Sequence, residues 1–204
     1  MNQGLRPTLV VVEGRHDIHF LRTLSAILHS REPMIPDLAQ RQRAGSVVFL
    51  SSGGVCSPEL AQQLVRLECR QFHLWDRDAP PETRVREQTV EAISALPNCV
   101  ARLTAKRSLE NYLHPQAIVE ARGLQVTFDD QDDVAALVAS QVLARTEGES
   151  GWSELSHRAR KRQRNRAKQW LNTEAVSRMT PELLHERDPQ GEVIGWLTAI
   201  AEMH

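Results

Sequence analysis

Residues 8–17 read Thr-Leu-Val-Val-Val-Glu-Gly-Arg-His-Asp, and this stretch decides the fold. Thr8 to Val12 are β-branched or aliphatic without polar alternation, which is typical of a strand covered on both faces of a parallel sheet. Gly14 permits a tight turn into a predicted helix, whose dipole favours a carboxylate in the first turn, at Asp17. Because open α/β sheets place their functional crevice at the carboxyl ends of the strands, Glu13 and Asp17 are predicted site residues.

Three further strand patterns follow along the chain, and helical patterns separate them. These strands are predicted at residues 46–50, 71–75 and 100–103, with helices at about 58–68 and 82–96. The alternation predicts an α/β fold with a central, mainly parallel four-stranded sheet that is flanked by helices. The rest of the chain is helical, with one segment at about 153–171. We therefore expect a core at residues 1–122 and a helical extension at 123–204 that packs on it.

Oxygen-bearing side chains recur after the third and fourth predicted strands. Asp76 and Asp78 follow the third strand, and on extended backbone two side chains one residue apart point the same way, so that both can face one cation. Ser108 and Glu110 follow the fourth strand. Carboxylates that lie close together raise each other's pKa, whereas bound Mg²⁺ or Mn²⁺ stabilises their ionised forms. The alternative interpretation of each residue is a turn or a helix cap.

Positive charge is concentrated late in the chain, although the net charge is only -1. Residues 157–168 contain seven Arg or Lys and no acid. Such clusters neutralise phosphates, so the segment predicts contact with nucleic acid, and a solvated helix face is the alternative. Two cations in the loop after the fourth strand are further candidates for phosphate contact. The predicted nucleic-acid-binding residues are Arg158, Arg160, Lys161, Arg162, Arg164, Arg166, Lys106 and Arg107.

The composition excludes several classes of protein. No apolar run approaches the roughly 20 residues that span a bilayer, and the first residues lack a secretory signal pattern. The three cysteines, Cys56, Cys69 and Cys99, share no metal-ligand spacing and are odd in number, which favours structural thiols in a reduced, cytoplasmic setting. No Walker A motif for ATP binding occurs in the 204 residues.

Together these residues resemble the Toprim domain, in the form found in overcoming-lysogenization-defect (OLD) family nucleases. The resemblance covers about residues 9–113 and rests on Glu13-Gly14, Asp17, the Gly53-Gly54 turn, Asp76-x-Asp78 and Ser108-x-Glu110-Asn111-Tyr112. It implies a Rossmann-like Toprim fold and an assisting lysine, for which Lys168 is preferred to Lys161. It also implies a set of ligands for two divalent cations, Mg²⁺ or Mn²⁺: Glu13, Asp17, Asp76, Asp78, Ser108 and Glu110.

The same resemblance implies a metal-dependent endonuclease that hydrolyses phosphodiester bonds of DNA by a two-metal mechanism. Glu13 and Lys168 are then the expected catalytic residues. Two alternatives stay open: a small Toprim ribonuclease that acts on structured RNA, and a non-catalytic Toprim module of an ATPase-containing phage-defence complex. Because these residues contain no ATPase motif, an ATPase partner supplied by another chain is one expectation. A homodimer built through the helical tail is the other.

Overall fold

Four parallel strands form the centre of the structure, a computed structural model that describes residues 6–54, 57–147 and 151–203. The strands lie side by side in the order β2-β1-β3-β4, and every neighbouring pair is parallel. The predicted α/β class, with a four-stranded parallel sheet flanked by helices, is thereby confirmed. The strands are β1 (Thr8–Val12), β2 (Val47–Ser51), β3 (Gln71–Trp75) and β4 (Cys99–Leu103).

The two central strands, β1 and β3, are buried at every residue, as the aliphatic run of β1 predicts. The expectation that residues 46–50 form a buried strand was wrong in its burial. Strand β2 lies at the edge of the sheet, and Val48 on it is 37% exposed. The strand order reverses between β1 and β3, so the carboxyl ends of these two strands flank the switch point where open α/β sheets bind their ligands.

Ten α-helices lie within the described residues. They are α1 (Arg15–Arg31), α2 (Leu38–Arg43), α3 (Pro58–Val65), α4 (Glu82–Ser94), α5 (Pro115–Arg122), α6 (Val134–Glu147), α7 (Gly151–Glu154), α8 (His157–Trp170), α9 (Pro181–Arg187) and α10 (Glu192–Glu202). Two 3₁₀ turns, Leu109–Tyr112 and Val176–Arg178, and a π-helix, Leu171–Ala175, complete the set. The single helix predicted at 153–171 is divided near Leu155, because the Ser156 hydroxyl caps a new helix by accepting the N–H of Ala159.

One large hydrophobic cluster joins the early and late parts of the chain. It contains Val10 and Phe20 from the sheet side together with Val138, Trp170 and Leu197 from the later helices. The predicted extension at residues 123–204 therefore packs against the sheet layer, while its boundary stays a prediction. A smaller cluster covers the other face of the sheet: Val11, Ala61, Trp75, Ile93, Cys99 and Ala101.

The predictions about cysteines have different outcomes. Cys69 and Cys99 are buried free thiols, in agreement with a structural role. Cys56 lies outside the described residues. In the part of the chain that the structure describes, no helix is both long and apolar enough to cross a bilayer.

Candidate active site

Glu13 and Asp76 are the first residues after β1 and β3, and they therefore meet at the switch point of the sheet. The backbone N–H of Asp76 donates to Glu13 Oε1 over 3.3 Å. Asp17 lies in the first turn of α1, where its carboxylate accepts the N–H of Gly14 over 2.8 Å. This bond satisfies a donor that the start of the helix would otherwise leave unpaired. The local turn thus holds Asp17 beside the strand ends.

Glu110 reaches the same place from the 3₁₀ turn after β4, and it is 1% exposed. The turn begins at Ser108, whose N–H and hydroxyl lie 3.1 and 2.9 Å from Asn111 Oδ1. The N–H of Leu109 donates to Asp76 Oδ1 over 3.0 Å, which fixes the turn against β3. We call the five carboxylates gathered here the acid edge: Glu13, Asp17, Asp76, Asp78 and Glu110.

Lys168 is the lysine that the structure brings to the acid edge. Its Nζ lies 3.2 Å from Asp76 Oδ2 and 3.5 Å from Glu110 Oε2. One turn later, the fully buried Asn172 donates from Nδ2 to Glu110 Oε1 over 2.8 Å. Asn172 was missed by the sequence analysis, although its i+4 spacing from Lys168 places both side chains on one helical face. Lys161, the alternative candidate, is exposed and pairs with no acid among the described residues.

Arg86, on α4, is a second cation at the acid edge and was also missed. Its guanidinium donates to Glu13 Oε1 and, over 3.0 Å, to the carbonyl oxygen of Asp76. Its other terminal nitrogen lies 2.6 Å from Asp78 Oδ2. The side chain is 16% exposed. A basic residue in the first turns of the helix that follows a strand-end Asp pair is the signal that points to it.

Asp78 departs from the predicted geometry. Its backbone φ is +55°, in the left-handed region, rather than extended. Strand alternation therefore does not align it with Asp76, and the two carboxylates have different partners. That of Asp76 contacts Leu109 and Lys168, whereas that of Asp78 contacts Arg86. The prediction that both aspartates face one cation assumed an extended backbone, and this assumption was wrong for Asp78.

Burial makes two acids of this edge hard to ionise. Desolvation, together with the neighbouring Glu110, raises the pKa of Asp17 to about 7, although Lys168 opposes the shift. Desolvation likewise raises the pKa of Asp76 well above its usual range, again against the effect of Lys168. Burial is thus the main reason that both acids resist ionisation, and strongly shifted pKa values in a cleft are a property of functional sites.

The pKa of Glu110 shifts in the opposite direction, because an ion pair and a hydrogen bond stabilise its ionised form. Burial alone would raise its pKa, but Lys168 and the hydrogen bond from Asn172 help to lower it. The attraction is mutual, since Glu110 and then Asp76 raise the pKa of Lys168 well above its usual value despite burial. Lys168 is therefore a permanent ammonium in this site.

An open groove of about 720 Å³ lies between α8 and part of the acid edge. Glu13 and Asp17 line it on one side, together with Arg15, His16 and the turn at Gly53 and Gly54, whose φ angles of +72° and +87° favour glycine. We call this cavity the α8 groove. The helix contributes the other wall, through side chains that recur every three or four residues on one face: Arg158, Lys161, Arg162, Asn165, Arg166, Lys168 and Gln169.

Four of the predicted nucleic-acid-binding residues are exposed in this wall and have no acidic partner within the described residues: Arg158, Lys161, Arg162 and Arg166. Two others lie off the groove. Arg160 donates to the carbonyls of Trp152 and Ser153 over 3.2 and 2.7 Å. Arg164 lies 2.6 Å from the carboxylate of Asp133. The helix therefore divides its cations between the groove and internal contacts.

The loop cations Lys106 and Arg107 also have internal partners. Lys106 is 8% exposed and its ammonium pairs with Asp130. Arg107 donates to the carbonyl of Gln131 over 3.1 Å and lies 3.6 Å from Asp133. Residues 130–133 therefore engage both loop cations, and their contact with phosphate stays a prediction.

The acid edge has the right kind of ligand atoms for a divalent cation, but its side chains are not arranged around a metal position. Its donors are oxygens, which Mg²⁺ and Mn²⁺ prefer. Two buried acceptors, Glu110 Oε2 and Asn172 Oδ1, have no hydrogen bond. Yet among residues 6–54, 57–147 and 151–203, no three His, Cys, Asp or Glu side chains form a cluster ready to hold a metal. Arg86 and Lys168 pair with most of the acids instead.

The comparisons with known proteins give one structural relative. No family model and no curated protein matches this chain. Among solved structures, the chain is similar to the C-terminal region of the OLD protein of Xanthomonas campestris pv. campestris, with a TM-score of 0.46 and 13% sequence identity over 95% of each chain. At this level of similarity, the function has to be inferred from the residues of the chain itself.

Proposed function

We propose that this protein is a divalent-metal-dependent nuclease of the OLD-like Toprim type, which hydrolyses phosphodiester bonds of DNA. One observation carries the proposal: the α8 groove has the carboxylates Glu13 and Asp17 on one wall, beside Arg15, and a row of unpaired cations on the other. A nucleic acid needs cations to hold its backbone, and its hydrolysis by this type of enzyme needs acids to hold metal ions. The groove presents both to a single ligand.

The proposed ligands of two Mg²⁺ or Mn²⁺ ions are Glu13, Asp17, Asp76, Asp78, Ser108 and Glu110. Bound at such a site, these ions activate water and stabilise the leaving oxygen. The chain itself supplies the positioning. Exposed arginines such as Arg158 and Arg162 hold backbone phosphates, and the ammonium of Lys168 offsets charge on the phosphate that reacts. The acids and Asn172 keep that ammonium at the end of the groove nearest the strand ends.

The test compares Glu13→Ala and Asp76→Ala with Glu87→Ala, a control whose side chain is 50% exposed and pairs with Arg77 outside the acid edge. Supercoiled plasmid and labelled structured RNA are each incubated with Mg²⁺, Mn²⁺ or EDTA. We expect cleavage by the unaltered protein and the control only with metal, and a loss of about 10²-fold or more in both site variants. Circular dichroism verifies folding. Undiminished nicking by folded Asp76→Ala would contradict the mechanism, and cleavage of RNA alone would select a ribonuclease.

A second candidate is a non-catalytic binding module, and the pairing of the acid edge with Arg86 and Lys168 favours it. This module would bind nucleic acid through α8 without cutting it, and would act through an ATPase on another chain or as a homodimer. It predicts tight binding of plasmid and no cleavage with either metal. Purification from the native host with and without ATP, followed by mass spectrometry, distinguishes the two assemblies.

A further inference from the structure

We propose that Arg86 is the internal counter-ion of the strand ends and competes with a divalent cation for Glu13 and Asp78. The inference rests on the metal-binding part of the proposed function and adds a residue that sets the affinity for metal. It starts from one guanidinium that spans the switch point of the sheet. Arg86 contacts Glu13 after β1, the backbone of Asp76 after β3, and Asp78 two residues later.

Two partly buried cations divide the acid edge between them. Arg86 holds Glu13 and Asp78, whereas Lys168 holds Asp76 and Glu110. A guanidinium binds carboxylates through several directed N–H donors, so it satisfies the lone pairs that a metal ion would otherwise use. Positive charge at this position also repels a second cation. A divalent ion that takes Glu13 and Asp78 as ligands therefore has to displace Arg86 from them.

The surroundings of Arg86 allow such a displacement. Helix α4 exposes its outer face, as Val85 shows by being 64% exposed. Arg86 itself retains 16% exposure of its side chain and is not part of the hydrophobic cluster under this helix. The cluster beneath α4 rests on Ile93, two turns further along. Release of Arg86 consequently costs its own bonds to the strand ends and little packing.

The experiment measures Mn²⁺ binding by calorimetry for the unaltered protein, Arg86→Gln, Arg86→Lys and Arg84→Gln. Arg84→Gln is the matched control, because it makes the same change on the same helix away from the acids. We expect Arg86→Gln to bind Mn²⁺ about tenfold more tightly, since a hydrogen-bonded competitor has been removed. Arg86→Lys should fall between, because an ammonium keeps the charge but loses the fork of donors. Without metal, the melting temperature of Arg86→Gln should be lower than that of the unaltered protein. Mn²⁺ should raise the melting temperature of the variant by more.

Each outcome separates this inference from the proposed function. Equal or weaker Mn²⁺ binding by folded Arg86→Gln overturns the competition, and leaves metal dependence standing if the unaltered protein binds. If only the Arg86→Gln variant binds Mn²⁺, the inference is supported, because Arg86 then blocks the site completely in the unaltered protein. Absence of Mn²⁺ binding in every variant overturns the metal site and the inference together. If Arg86→Gln does not fold, Arg86→Lys decides: affinity at or below that of Arg84→Gln overturns the inference.

Discussion

The acid edge, through Glu13 and Asp17, faces the side chains of α8 across one groove, but the acids and the α8 cations are held in opposite ways. Asp76 and Glu110 are 5% and 1% exposed and share the ammonium of Lys168. Arg158 and Arg162, on the opposite wall, are exposed and have no acidic partner among the described residues. Buried charges need internal partners to be tolerated at all, whereas exposed charges are free to attract a ligand. The acids are therefore held in place by internal partners, whereas the exposed arginines of α8 are available to a ligand.

The largest expected effect comes from removing the cation that the two walls share. Lys168→Met leaves Asp76 and Glu110 buried without their ammonium, and because the lysine is 30% exposed the cost lies between those of exposed and fully buried pairs, at about 1–4 kcal/mol. We expect that loss in the free energy of unfolding, measured by urea denaturation in EDTA. Nuclease turnover should fall by about 10²–10³-fold, with affinity for DNA much less affected.

Lys161→Met is the control, because this lysine lies in the α8 wall but pairs with no described acid. It should leave stability unchanged within about 0.5 kcal/mol. If the two substitutions changed stability and turnover equally, Lys168 would have no special role at the acid edge, and both lysines would act only as cations of the groove.

The intermediate effect concerns the exposed wall. Arg158→Gln, Arg162→Gln and Arg166→Gln combined should weaken binding of duplex DNA and reduce the slope of log K against log salt by about 0.9 for each phosphate that is no longer neutralised. Fluorescence anisotropy across a series of KCl concentrations measures both quantities. The matched control combines Arg160→Gln with Arg164→Gln, whose side chains contact Trp152, Ser153 and Asp133 instead of facing the groove. An equal reduction of the slope per substitution in the control would contradict the assignment of the wall.

The smallest expected effect is a pH dependence of the free energy of unfolding that comes from the buried acid Asp17. Asp17 has a pKa raised to about 7 in the folded protein, so the folded state binds its proton more tightly than the unfolded chain does. The contribution of this group is therefore most favourable at low pH and is lost as pH rises through about 7. Asp17→Asn keeps an acceptor for the N–H of Gly14 and removes the charge. At pH 8 in EDTA we expect the variant to be more stable by about 1–2 kcal/mol, with little difference at pH 4. Parallel stability profiles from pH 4 to 8 would show that Asp17 ionises normally.

The acid edge was predictable because a parallel sheet brings the carboxyl ends of its strands to one side. Once residues 8–12 and 71–75 are assigned as parallel strands, Glu13 and Asp76 have to lie at the same edge of the sheet, and the pairing of β1 with β3 makes them neighbours. The groove could not be predicted in the same way. Helical periodicity places Arg158 and Arg162 on one face, but only the docking of α8 determines that this face meets Glu13 rather than solvent.

The partners of the acids lay beyond the sequence for a related reason. Arg86 reaches Asp78 because that residue adopts a left-handed conformation, which no neighbouring glycine or asparagine indicated. Arg164 and Lys106 belonged to basic stretches, yet both are paired with aspartates at residues 130–133 that chain distance alone does not bring near. Long-range packing decides which cation is paired internally, and local pattern carries no information about it.

The bond between Lys168 and Asp76 joins residues 92 positions apart, and it has a consequence for the order in which the protein is made. During synthesis the strands and all five acids leave the ribosome well before α8 does, and the earlier part of a chain generally folds first. At that stage the acids have no Lys168, and the groove has a single wall. A nascent chain, or one clipped before residue 157, thus carries the acids without a place for a nucleic acid strand. If the proposed function holds, cleavage of DNA therefore has to wait until α8 has docked.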